Sequence, residues 1–215
     1  MSKLKVSGNA SGTGVITLEA PNTNTDRAIT LPDSAGELIN IAPSTSGNIL
    51  TSDGTNWTSA AGGGKVLQVV STTKTDTFTT TSTSFVDVTG LSVSITPSAT
   101  TSKIMVIASY SIANTGSTYF TFARLVESST AIFVGSSTGS RTPASARWGE
   151  PGASGMSSST ASILRSPNTT SAVTYKIQIM GESGATAVLN RTGSDSDTAE
   201  RPRTASTITV MEIGA

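Results

Sequence analysis

Almost every apolar string in this chain is short and is closed by Gly, Pro, Asn or Asp. Val15-Ile16-Thr17-Leu18 stops at Pro21-Asn22, and Ala28-Ile29-Thr30-Leu31 stops at Pro32-Asp33. Glu37-Leu38-Ile39-Asn40-Ile41 stops at Pro43, and Asn48-Ile49-Leu50-Thr51 stops at Asp53-Gly54. Such punctuation marks short strands bounded by turns. No segment carries a sustained helical period with its start and stop signals. No run reaches the length of a membrane-crossing helix. An all-β fold is expected.

The side-chain chemistry agrees. Ser and Thr make up about a third of the residues, whereas charged residues are only 13% and hydrophobic ones 35%. Abundant Thr with little Lys and Glu suits strands better than helices. The surface is therefore expected to be built from hydroxyls rather than charges. Lys and Arg together number 14, as do Asp and Glu. A nucleic-acid binder would carry a basic excess, so none is expected as a partner. The chain has no Cys and no His. That excludes Ser-His-Asp and Cys-His nucleophile systems, thiolate redox chemistry and the common zinc sites. Lys3 and Lys5 have no apolar run behind them, so the start does not read as a secretory signal. No cofactor and no membrane insertion are expected.

Two parts follow from the pattern. In residues 1–61 each candidate strand carries only a few apolar side chains, and isolated hairpins of that size are marginal in water. Three copies wound around an axis would bury Ile16, Leu18, Ile29, Leu31, Leu38, Ile41, Leu50 and Trp57 against one another. Gly62-Gly63-Gly64 reads as a flexible hinge. Residues 65–215 read as an antiparallel sandwich of jelly-roll type, from eight or more alternating strings. Ser84 to Val88 and Leu91 to Ile95 alternate about Thr89-Gly90 in a hairpin pattern. Residues 103–110 form a nearly continuous apolar run, as in a central strand. Val173, Tyr175, Ile177 and Ile179 share one face, and the last string offers Ile208, Val210 and either Met211 or Ile213. Residues 136–159 read as one long Gly-, Ser- and Pro-rich loop, a length that is usually functional or disordered.

The phrases Gly14-Val-Ile-Thr-Leu-Glu-Ala-Pro, Ala28-Ile-Thr-Leu-Pro-Asp-Ser-Ala-Gly-Glu-Leu and Gly47-Asn-Ile-Leu-Thr-Ser-Asp-Gly-Thr-Asn-Trp resemble repeated phrases in tail-fibre and related virion proteins of tailed bacteriophages, particularly marine and cyanobacterial ones. The resemblance covers about the first sixty residues; the rest is similar to the β-sandwich domains that end such fibres. It implies a homotrimer on the virion, assembled in the host cytoplasm. Residues 1–61 would dock on the tail hub, a fibre adaptor or the capsid, and the sandwich would contact a host glycan or protein. The phrases are few for a long shaft. A short tail fibre fits them, as does a capsid-decorating or head-fibre protein; a polysaccharide depolymerase spike is a third reading.

Candidate sites are sparse. Arg147-Trp148-Gly149-Glu150 could bind sugar, with the indole stacking on a pyranose while Arg147 and Glu150 bond hydroxyls; equally, Trp148 could anchor a core or an interface. Tyr119 reads as core or interface. Asp195, Asp197 and Glu200 offer oxygens to a hard cation, but without the Gly and terminal Glu of a known loop motif. Glu150, Glu182 and Asp195 could supply a hydrolytic carboxylate pair, but no spacing favours one. The chain therefore reads as non-enzymatic. Asn56-Trp57-Thr58 and Asn190-Arg191-Thr192 match the glycosylation pattern, which carries little weight without a secretory signal.

Overall fold

A computed structural model describes residues 11–13, 48–52, 57–61, 64–116, 119–149, 155–183 and 185–214. It contains no helix among the described residues. The first pair, β1 (Asn48–Ser52) and β2 (Trp57–Ala61), forms an antiparallel hairpin. Ile16, Leu18, Ile29, Leu31, Leu38 and Ile41 lie outside the described residues. Leu50 lies on β1 and is 47% exposed, and Trp57 opens β2 opposite Ser52.

The remaining strands build a two-layer antiparallel sandwich. They are β3 (Val66–Lys74), β4 (Phe78–Thr80), β5 (Val86–Ile95), β6 (Lys103–Asn114), β7 (Thr121–Glu127), β8 (Thr130–Ile132), β9 (Ala146–Trp148), β10 (Ser157–Arg165), β11 (Val173–Gly181), β12 (Ala187–Leu189) and β13 (Ser206–Ile213). The first sheet runs β3–β13–β6–β10, and the second runs β5–β11–β7 with β8 and β9 end to end on the outer edge of β7. The chain passes from sheet to sheet in the order of a jelly roll, two interlocked Greek keys. The expectation of a jelly-roll sandwich is met.

Period-2 patterning builds the core. On β11, Val173, Tyr175, Ile177 and Ile179 turn inward, and β6 answers with Ile104, Val106, Ala108, Tyr110 and Ile112. Each such aliphatic side chain contributes about 1.5–3 kcal/mol when fully withdrawn from water. Burial pushes the Tyr110 phenol up to about 12.

Three strand expectations are corrected. Residues 84–95 are not a hairpin: Val86 to Ile95 is one strand, β5, pairing with β11 through a bulge. Gly90 sits there at φ 80°, and β5 carries three more residues than β11 across the bulge, which kinks the strand and leaves both Val88 and Leu91 inside. Residues 136–159 are not one loop either, because they contain β9 and the start of β10. On β10 only Ala161 is fully buried and Ser and Thr occupy both faces, so the strand carries no apolar alternation. On β13, neither Met211 nor Ile213 continues the inward face of Ile208 and Val210; Glu212 does, at 1% exposure.

β6 outruns β13, and the short pair β12 and β4 fills the space beside its far end. Asn190 joins the pieces. It is fully buried at φ 63°, a conformation Asn tolerates. Its Nδ2 donates to the carbonyls of Lys74 (2.9 Å) and Asp76 (3.0 Å), and its Oδ1 accepts from Ser206 Oγ (2.6 Å). Its backbone bonds Ser111 and Thr204. One side chain thus links the β3–β4 break to the β12–β13 break.

Of the expected hinge, Gly62 and Gly63 lie outside the described residues. Gly64 donates to the Gly214 carbonyl at 3.2 Å, and Gly214 donates to the Lys65 carbonyl at 2.8 Å. The N-terminal segment therefore enters the sandwich beside the end of β13, with Gly64 held there at φ 73°.

Candidate functional surfaces

Strand alternation separates the residues that the sequence placed together. β9 pairs with β7, and Ala146 and Trp148 pack onto the core while Arg147 turns outward. The Trp148 indole is a core anchor and does not share a face with Arg147. Glu150 lies outside the described residues. Arg147 instead covers the Phe120 ring at 4.0 Å. Gly149 lies against the same ring: a Cβ there would run into it. Tyr119 precedes β7 and is 39% exposed, outside the core.

The outward face of the second sheet gathers a different set. Arg124 stacks on Phe85 at 4.1 Å and donates from Nε to Gln178 Oε1 at 2.7 Å. Gln178 Nε2 donates to Asp87 Oδ1 at 2.6 Å, and Lys176 Nζ to Asp87 Oδ2 at 2.7 Å. The ladder follows the register, since Arg124 and Asp87 are the two cross-strand partners of Gln178. The Lys176 hydrogen bond, helped by that of Gln178, outweighs partial burial and lowers the Asp87 pKa. Phe122, opposite Arg147, meets Phe120 edge to face at 6.5 Å. Two Arg–Phe stacks and a polar ladder thus share one sheet face. Such a face offers aromatic planes and fixed donors to a hydroxyl-rich or anionic partner. Sequence reasoning missed it because Phe85, Arg124, Arg147 and Gln178 come from four separate segments of the chain. The available signal was the outward phase of Phe120, Phe122 and Arg124.

Two carboxylates, Glu127 half-buried and Glu212 buried, are structural. Glu127 accepts from Tyr175 Oη at 2.8 Å and from Arg165 Nη2 at 2.6 Å. This ties β10 of the first sheet to β7 and β11 of the second. Burial pushes the Tyr175 phenol far up, and the Glu127 bond adds to it; the same carboxylate raises Arg165. Glu212 accepts from Ser98 N (2.7 Å), Ser98 Oγ (2.6 Å) and Gln68 Nε2 (2.6 Å). It is nearly sealed from water. Burial raises its pKa, but these bonds and one from Ser102 outweigh that and hold it at about 2.

The acidic loop is an ion-pair loop. Asp195 pairs with Arg203 at 2.6 Å and Arg191 at 3.8 Å. Among the described residues no group of three or more His, Cys, Asp or Glu could hold a metal. Glu182 lies after β11, where its backbone N donates to Phe120 O. Asn190 of the second glycosylation pattern is the buried junction residue, closed to modification, and Asn56 lies outside the described residues.

Among the described residues, the strand positions on the outward face of the first sheet are uncharged except for Lys103 at its rim. Register aligns Val69, Met211, Met105 and Leu164 in one apolar row across β3, β13, β6 and β10. The next rows are Ser71, Thr209, Ile107 and Ser162, then Thr73, Thr207, Ser109 and Thr160.

No family model matches the chain, and no curated protein matches it. Among solved structures, it is similar to chains in structures of infectious bursal disease virus, Gt strain and Gx strain. Identities are 12% and 13%, with a TM-score of 0.38 in each case. The matches cover 78% of this chain and 42% and 41% of those chains, so it spans about two fifths of their length.

Proposed function

We propose that this chain is a non-enzymatic structural protein of a tailed-bacteriophage virion: a short tail fibre that works as a homotrimer. Residues 1–61 dock on the particle, at a tail hub or a fibre adaptor, and form a brief stem. The jelly roll is the distal head. The observation that carries this reading is the junction at Gly64 and Lys65. It joins the segment that carries the fibre-like phrases to a jelly roll beside the end of β13. The outward face of the second sheet, with Arg124 on Phe85 and Arg147 on Phe120, is the surface offered to a host glycan or protein. Three copies would turn weak single contacts into firm attachment.

A capsid-decorating or head-fibre role is the second reading. It is favoured by the same phrases, which are not specific to one position on the virion. Gold-labelled antibody against residues 65–215 on intact particles separates the two. Label at the tail supports the fibre; label spread over the head overturns it in favour of decoration; particles free of label overturn both.

A further inference from the structure

We propose that the outward face of the first sheet packs against further copies of this chain, around the same axis as the stem. This rests on the homotrimer reading above and names the surface that makes the trimer. The described residues expose eight large hydrophobic side chains, and four of them, Val66, Leu67, Val69 and Leu164, lie on or beside the apolar row completed by Met105 and Met211. Exposures of 47–57% for these four are a burial opportunity that one chain leaves unused.

Two observations commit the face to a second copy rather than another partner. First, a face that meets its own copies must tolerate its own charge. Among the described strand positions of this face only Lys103 is charged, at the rim and bonded to Ser166 Oγ, and apart from Ile107 the remaining rows are hydroxyls that both donate and accept. Second, the N-terminal segment enters through the Gly64–Gly214 and Gly214–Lys65 bonds, beside Val66 and next to the apolar row. Copies whose stems share an axis must bring these entry points together. The surface beside the entry point therefore turns toward the axis, and the second sheet with its Arg–Phe stacks turns outward.

The native chain has no Cys, so single thiols can be placed at will. Full-length Val69→Cys, Leu164→Cys and the control Ser92→Cys, which is exposed on the second sheet, would be labelled with a maleimide while light scattering reads the mass. The expected result is an oligomer in which Val69→Cys and Leu164→Cys react about tenfold or more slowly than Ser92→Cys, because reaction waits on opening of the interface. Adding Leu164→Glu to Val69→Cys should lower the mass and restore labelling together. A native monomer overturns both the homotrimer reading and this inference. An oligomer whose thiols all react alike overturns this inference alone. Protection of Val69→Cys that survives in a Leu164→Glu monomer marks the chain's own N-terminal segment as the cover and also overturns it.

Discussion

Replacing Asn190 by Ala removes three hydrogen bonds at the point where both sheet breaks meet. The carbonyls of Lys74 and Asp76 lose their side-chain donor, and Ser206 Oγ loses its acceptor. At about 1 kcal/mol net for each bond, the loss is about 3 kcal/mol. The backbone there is left-handed, with φ 63°, which Ala tolerates less well than Asn by about 1 kcal/mol. The expected destabilisation is about 4 kcal/mol, a large share of a domain's usual stability. Asn190→Gly makes the same hydrogen-bond loss without the steric cost, so it should be the milder by about 1 kcal/mol. Urea unfolding of the three proteins at one fixed concentration measures this, since oligomers gain stability with concentration. A loss below about 1 kcal/mol for Asn190→Ala would refute the view that this side chain joins the sheet pieces.

Glu212 should give the fold an acid limit. Its folded pKa of about 2 lies below the ordinary 4.5, so its contribution is whole above about 4.5 and is lost as pH falls through 2. Unfolding midpoints from pH 5 to 2 should fall more steeply for the native chain than for Glu212→Gln; parallel curves would contradict this. Glu127→Gln weakens the Arg165 pair and the Tyr175 bond between the sheets and should cost about 2 kcal/mol, again by urea unfolding. Gly149→Ala drives a methyl group into the Phe120 ring, so it should unseat the Arg147 stack, read as shifted aromatic resonances around Phe120 and Phe122. Arg124→Ala with Arg147→Ala should lower adsorption to host cells while the unfolding midpoint moves by less than about 1 kcal/mol, measured by cell pull-down and urea unfolding. Unchanged adsorption would remove the second sheet as the contact face.

The parts of the fold legible in the sequence were those in which one face is buried and the other is wet. β11 and β6 announce themselves by strict alternation or by a long apolar run, and the count of such strings was enough for a jelly roll. β10 was not legible, because its outward neighbours are Ser and Thr on both phases and Ala161 is too small to mark a core. β5 looked like a hairpin because Thr89-Gly90 is good turn chemistry; only the pairing with β11 turns those residues into a bulge. Of the two readings of Arg147-Trp148, the packing of Trp148 matches the core anchor, and the two side chains are parted for a related reason. Adjacent strand residues point to opposite sides, and the strand β9 hid in a segment that looked like loop. The Arg–Phe stacks and the Val69–Met211–Met105–Leu164 row depend on register between strands distant in sequence, which no single segment encodes. Glu212 shows the converse: a charged residue takes a core position because Ser98, Ser102 and Gln68 converge on it.

The central claim is that this chain is one arm of a trimer whose stem and head share an axis. Multi-angle light scattering of the full chain tests it most directly. The account predicts a mass three times the chain's 21.8 kDa, with residues 1–61 resistant to protease in that assembly. A particle of 21.8 kDa, whether or not residues 1–61 resist protease, would contradict it.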